Sequence, residues 1–186
     1  MRRFLGLSGA ASEPSRPIES ETETVRRIVR ELEQLEPEQR RYLAGFAYIL
    51  ARTAHADLNI SADESAVMER ILGEAGKLPE AQALLVVEIA KHQSELYGGT
   101  EDYLVTREFA AYTTNEQRRA VVEACFAVAA ADDNISAEEF AELTQIADEL
   151  DLTRPELNVL RRKYADKLSA VRLVRREAKE AGEAGA

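Results

Sequence analysis

One decapeptide of this chain recurs 75 residues downstream with seven of its ten residues unchanged. His55-Ala56-Asp57-Leu58-Asn59-Ile60-Ser61-Ala62-Asp63-Glu64 aligns without gaps on Ala130-Ala131-Asp132-Asp133-Asn134-Ile135-Ser136-Ala137-Glu138-Glu139. The likeness continues downstream at helical spacing, pairing Ala66 with Ala141, Met68 with Leu143 and Ile71 with Ile146. A helix–acidic turn–helix unit written twice predicts two copies in pseudo-two-fold packing, each burying the apolar face of the other.

The repeated letters spell out a local conformation. Asp57 and Asp132 close a helix, where a carboxylate can accept turn N–H groups in an Asx arrangement. Asn59 and Asn134 are the residues expected to tolerate left-handed backbone. Ile60 and Ile135 stand just before the next helix, where an apolar side chain staples the turn to the core. Ser61 and Ser136 then cap that helix, and Glu64 and Glu139, three residues on, complete capping boxes. Such a cap stabilises a helix by about 1 kcal/mol. This reading uses every repeated residue except the two alanines.

The rest of the chain reads as helices too. Residues 1–19 lack apolar periodicity and form an expected disordered tail. Ser20-x-x-Glu23 opens a first helix whose stripe is Val25, Ile28, Val29, Leu32 and Leu35. Further helices are predicted from Pro37 to about Ala56, Ser61 to Gly76, Pro79 to the Gly98-Gly99 pair, Glu101 to Tyr112, Thr114 or Asn115 onward, and Ser136 to Leu150. A last helix begins at the Thr153-x-x-Glu156 box and is expected to run to about Lys179. Residues 180–186 form a flexible tail. Five prolines, nine glycines and no tryptophan suit an Ala/Leu/Val/Ile core. No four-to-eight-residue segment alternates as a strand does. The expectation is an all-α bundle of seven to eight helices, one domain over residues 20–179.

A net charge of −10 disfavours nucleic acid as a partner. The single cysteine, Cys125, rules out an internal disulfide and reads as a small core residue. No apolar run reaches the roughly 18 residues that span a bilayer, and the start is too short for a secretory signal. A cytoplasmic protein is expected.

The string Ala56-Asp57-x-x-Ile60-Ser61-x-x-Glu64 and its copy from Ala131 to Glu139 resemble the paired acidic motifs of the TerB-like tellurite-resistance family, a domain also found at the N-terminus of a DnaJ-type co-chaperone. The resemblance covers roughly residues 38–165, including Leu150-Asp151-Leu152-Thr153. Leu58 and Asp133 stand where the family pattern usually has glycine. The resemblance implies a bacterial protein of the tellurite or envelope stress response, an interaction module with an unidentified protein partner. It also implies an alternative, a co-chaperone-type adaptor, although the chain has no His-Pro-Asp tripeptide of its own.

Oxygen ligands gathered in acidic turns point to a hard cation. The candidate metal set is Asp57, Asn59 and Glu64 with Asp132, Asn134 and Glu139, and it favours calcium or magnesium over zinc. The spacing is not that of an EF-hand: the sixth position is Ala62 or Ala137 and the twelfth Met68 or Leu143. Capping alone is the favoured explanation of these residues. An enzyme using the paired carboxylates is the least favoured class, and neither a catalytic set nor a cofactor other than the cation is expected. His55 has alanine as its counterpart, and His92 sits among Glu88 and Glu95 in an ordinary solvated pattern. Between Arg161 and Lys179, eight basic and two acidic side chains flank a stripe of Leu157, Leu160, Tyr164, Leu168 and Val171. That helix either docks on the bundle, the favoured reading, or makes a peripheral contact with an anionic membrane. Nothing in the sequence sets the oligomeric state.

Overall fold

A computed structural model describes residues 33–56, 60–97, 99 and 101–174. Among them are seven helices: α1 (Pro37–Ala54), α2 (Ala62–Gly76), α3 (Glu80–Tyr97), α4 (Asp102–Tyr112), α5 (Asn115–Ala129), α6 (Ala137–Glu149) and α7 (Arg154–Lys163). No strand occurs among the described residues, so the all-α expectation holds. The helix expected from Ser20 lies outside the described residues apart from its end, as do the two tails.

Helix α1 is the axis of the bundle. From Phe46 to Ala54 every side chain is buried, because α2, α3, α4, α5 and α6 all pack around it. A helical stretch buried on all sides belongs in the middle of a fold. The second copy of the repeat, α5–α6, lies against the first: α5 packs on both α1 and α2. Met68 and its counterpart Leu143 are both fully buried, as are Phe126 and Ile146. Cys125 is in this core, and burial pushes its thiol up to about 12.

One close approach sets the spacing of α1 and α4. A Cβ at Gly45 would stand 2.6 Å from the Phe109 ring and 2.8 Å from the Tyr112 hydroxyl, so the missing side chain lets α4 lie directly on α1. Tyr42, Phe109 and Tyr112 then pack ring against ring, tilted in the first pair and edge-to-face in the second, with centroids 5.4 and 5.5 Å apart.

The last helix corrects one expectation. It stops at Lys163, residues 164–167 form turns, and helix resumes only at 169. The interruption lets Leu168 pair with Ile135 as an isolated parallel bridge: Ile135 N–H donates to the Lys167 carbonyl at 2.8 Å and Ser169 N–H to the Ile135 carbonyl at 3.0 Å. The turn before α6 needs those partners for its backbone, and a continuous helix could not offer them. The expected stripe still packs inward. Leu160 and Leu168 are core residues, and Leu157, Tyr164 and Val171 lie against them.

Candidate functional site: the acidic turns and the buried Arg52 cluster

The two capping boxes are the same structure built twice. The Ser61 and Ser136 hydroxyls each accept from the Glu64 or Glu139 N–H at 3.1 Å, and each serine N–H donates to the glutamate Oε2 at 2.7 Å. Both glutamates are buried. Their carboxylates are therefore engaged at the N-termini of α2 and α6, where the helix dipole also favours negative charge.

The second turn carries the Asx geometry expected of it, with Asp132 Oδ1 accepting from the Asn134 N–H at 2.9 Å. The left-handed residue differs from the expectation: it is Asp133, with φ 67°, and not Asn134. That is the position at which the family resemblance expects glycine, and the positive φ is the physical reason glycine suits it. The Asp133 carboxylate pairs with the Lys167 ammonium, which holds it below the usual carboxylate range, and the Asp133 carbonyl accepts from Arg172 Nη1 at 3.0 Å. Basic residues of the C-terminal segment thus neutralise the second turn from within the chain.

Of the six candidate metal ligands, Glu64, Asp132, Asn134 and Glu139 are described, whereas Asp57 and Asn59 lie outside the described residues. Among the described residues, no group of three or more His, Cys, Asp or Glu side chains is placed to hold a metal ion.

A second polar centre has no counterpart in the sequence reading. Arg52, 4% exposed, projects from α1 into the space between α4 and α6. Its Nη1 donates to Glu149 Oε2 at 2.6 Å and to Thr106 Oγ1 at 2.9 Å, its Nη2 reaches Glu149 Oε1 at 3.3 Å, and its Nε pairs with Glu142. Gln145 Nε2 adds a bond to Glu149 Oε1 at 2.9 Å. Burial opposes charge on Glu149, but the hydrogen bonds from Arg52 and Gln145 outweigh it and hold the carboxyl below its ordinary value. Every donor here has a partner, and a fully paired buried cluster fixes one register of packing. Its sequence signal is an arginine inside the mostly apolar run from Phe46 to Ala54.

Beside this cluster a polar cleft of about 290 Å³ is lined by Arg52, His55, Glu95, Asp102 and Glu142, among others. A larger groove of about 490 Å³ opens further toward the N-terminal end of α1, also between α3 and α4, and its walls are mostly apolar. No helix among the described residues is long and apolar enough to cross a membrane.

The family model for tellurite resistance protein TerB matches residues 44–162. Neither the curated proteins nor the solved structures yield a match. The matched span runs from α1 through α7 and includes both acidic turns and both capping boxes, which is the part of the chain that the repeat organises. The chain belongs to the TerB tellurite-resistance family.

Proposed function

We propose that this chain is a non-catalytic, cytoplasmic interaction module of a bacterial tellurite or envelope stress response, engaging a protein partner and binding a divalent cation at its paired acidic turns. The observation that carries the reading is the family match across both turns, joined to their duplicated geometry. Asp57, Asn59, Asp132 and Asn134 would supply oxygen ligands. Glu64 and Glu139 would join them through carboxylates that already accept a backbone N–H, since a carboxylate has lone pairs for more than one partner. All-oxygen ligands favour calcium or magnesium over zinc. The buried Arg52 cluster is structural on this reading: its carboxylates are neutralised by a guanidinium, which suits fixed packing better than proton transfer.

Thermal unfolding of the full chain tests the proposal, first with chelator and then with calcium, magnesium, manganese or zinc. A cation bound only by the folded state adds about 2.7 kcal/mol at 100 times its Kd. The rise should vanish in the Asp57→Asn/Asp132→Asn double variant. Asparagine keeps an oxygen to accept the Asn134 N–H, so the turn itself survives the change. No shift with any of the four cations would leave the turns as capped turns alone.

A further inference from the structure

We propose that the apolar groove between α1, α3 and α4 binds a single-chain aliphatic carboxylate, a free acid of fatty-acid type, with its hydrocarbon chain in the groove and its charged end at the arginine rim. The groove encloses about 490 Å³, inside the span of about 300–1,000 Å³ in which small-molecule sites fall. Phe109, fully buried, gives it an aromatic wall, with Val86 and Val105 beside the ring. Ala44 and Ala47 on α1 and Ala90 on α3 end at Cβ, and the space left beyond them is the groove. Walls of this kind reward a hydrocarbon chain for leaving water.

The rim shows what the other end of the ligand carries. Arg40 and Arg41 both line the groove, and both are exposed. Arg41 is already engaged: it donates to Glu108 Oε1 at 2.7 Å and lies over the Tyr112 ring, 4.0 Å from the centroid. Glu108 is the one carboxylate lining the groove among the described residues, and this pair uses it. The Arg40 guanidinium has no hydrogen bond or ion pair among the described residues. Two guanidiniums against one carboxylate leave the rim at +1, on a chain whose total is −10. A planar guanidinium free to take a partner suits a carboxylate, which it can meet with two parallel N–H donors. Size argues for a small ligand over a protein. A stable protein interface covers about 800 Å² on each side. Ile89, 53% exposed, is the only exposed large apolar residue in the described lining.

Calorimetric titration of the full-length chain with octanoate, decanoate and dodecanoate, each held below its critical micelle concentration, tests the proposal. Binding should saturate at one molecule per chain and tighten about fourfold with each added methylene. Decanol, with the same chain and no charge, should bind more weakly than decanoate. Arg40→Gln should weaken decanoate about fivefold and leave decanol unchanged. Ala44→Trp should fill the groove and abolish binding of all three acids. Ile89→Asp, on the facing helix, should do the same by placing a carboxylate against the hydrocarbon. Ala44 and Ile89 are both exposed, so circular dichroism should show both variants folded. An absence of saturable binding by all three acids would overturn the proposal. So would an affinity independent of chain length, or decanoate and decanol bound equally. Decanoate affinity left intact in both Ala44→Trp and Ile89→Asp would also overturn it, because the acid would then sit elsewhere on the chain.

Discussion

Replacing Arg52 with methionine removes the guanidinium while keeping much of the side chain's bulk. Glu149, 7% exposed, would lose bonds of 2.6 and 3.3 Å to the guanidinium and keep its neutral partners Gln145 and Thr106. Breaking a buried pair by taking away one partner costs about 3–5 kcal/mol, because the remaining charge is left buried. Glu142 is more exposed and its loss adds less, within the range of about 0–1 kcal/mol of a solvated pair. A net loss of about 3–4 kcal/mol at pH 7 is therefore expected in a urea titration followed by circular dichroism. The Arg52→Met/Glu149→Met double variant should recover much of it, since an apolar pair of similar volume leaves no uncompensated charge at this position. The pH dependence has a definite sign. The folded Glu149 carboxyl is held below its ordinary value, so its contribution is present above the unfolded pKa of about 4.3 and is lost as pH falls through the folded value. In Arg52→Met, burial is opposed only by the neutral groups Gln145 and Thr106, and Glu149 takes up a proton more readily. The stability gap between wild type and variant should accordingly narrow below about pH 4. A single-variant loss under about 1 kcal/mol, or a double variant whose loss is the sum of the two single losses, would refute the reasoning.

Gly45→Ala should destabilise the fold by about 1 kcal/mol in the same titration: overpacking against Phe109 and Tyr112 costs about 1–3 kcal/mol, and better helix propensity returns about 1. Ser136→Ala should cost about 1 kcal/mol through loss of the cap on α6, with Ser61→Ala costing a similar amount because the two boxes have the same geometry. Unequal losses in these two serine variants would show that the copies are not energetically equivalent.

What the sequence revealed follows from what it repeats. The capping boxes, the Asx turn at Asp132 and the start of each described helix rest on local chemistry, and local chemistry is written in adjacent residues. Duplication made those letters stand out from the background. The Arg52 cluster is a different case: its counterpart at the repeat offset is Ala127, so comparison of the two copies gives no hint of it. Arg52, Thr106, Glu142 and Glu149 come from three helices, up to 97 positions apart in sequence, and only the packed bundle brings them together. The break after Lys163 was hidden for a related reason. The apolar spacing from Leu157 to Val171 suits one continuous helix, but the unpaired backbone of the turn at Ile135 competes for residues 167–169 and wins. Asp133 shows the limit of propensity alone: asparagine is a common left-handed residue, yet the neighbouring aspartate takes that conformation, where Lys167 and Arg172 engage it.

Calorimetric titration of calcium, and separately of magnesium, into chelator-stripped full-length chain measures directly whether the acidic turns bind a cation. The expected result is saturable binding of at least one of the two ions, weakened about tenfold or more in the Asp57→Asn/Asp132→Asn variant, a difference of about 1.4 kcal/mol or greater. An absence of saturable heat with both ions, or equal affinity in the double variant, would contradict cation binding at the turns and leave Asp57 and Asp132 as parts of capped turns.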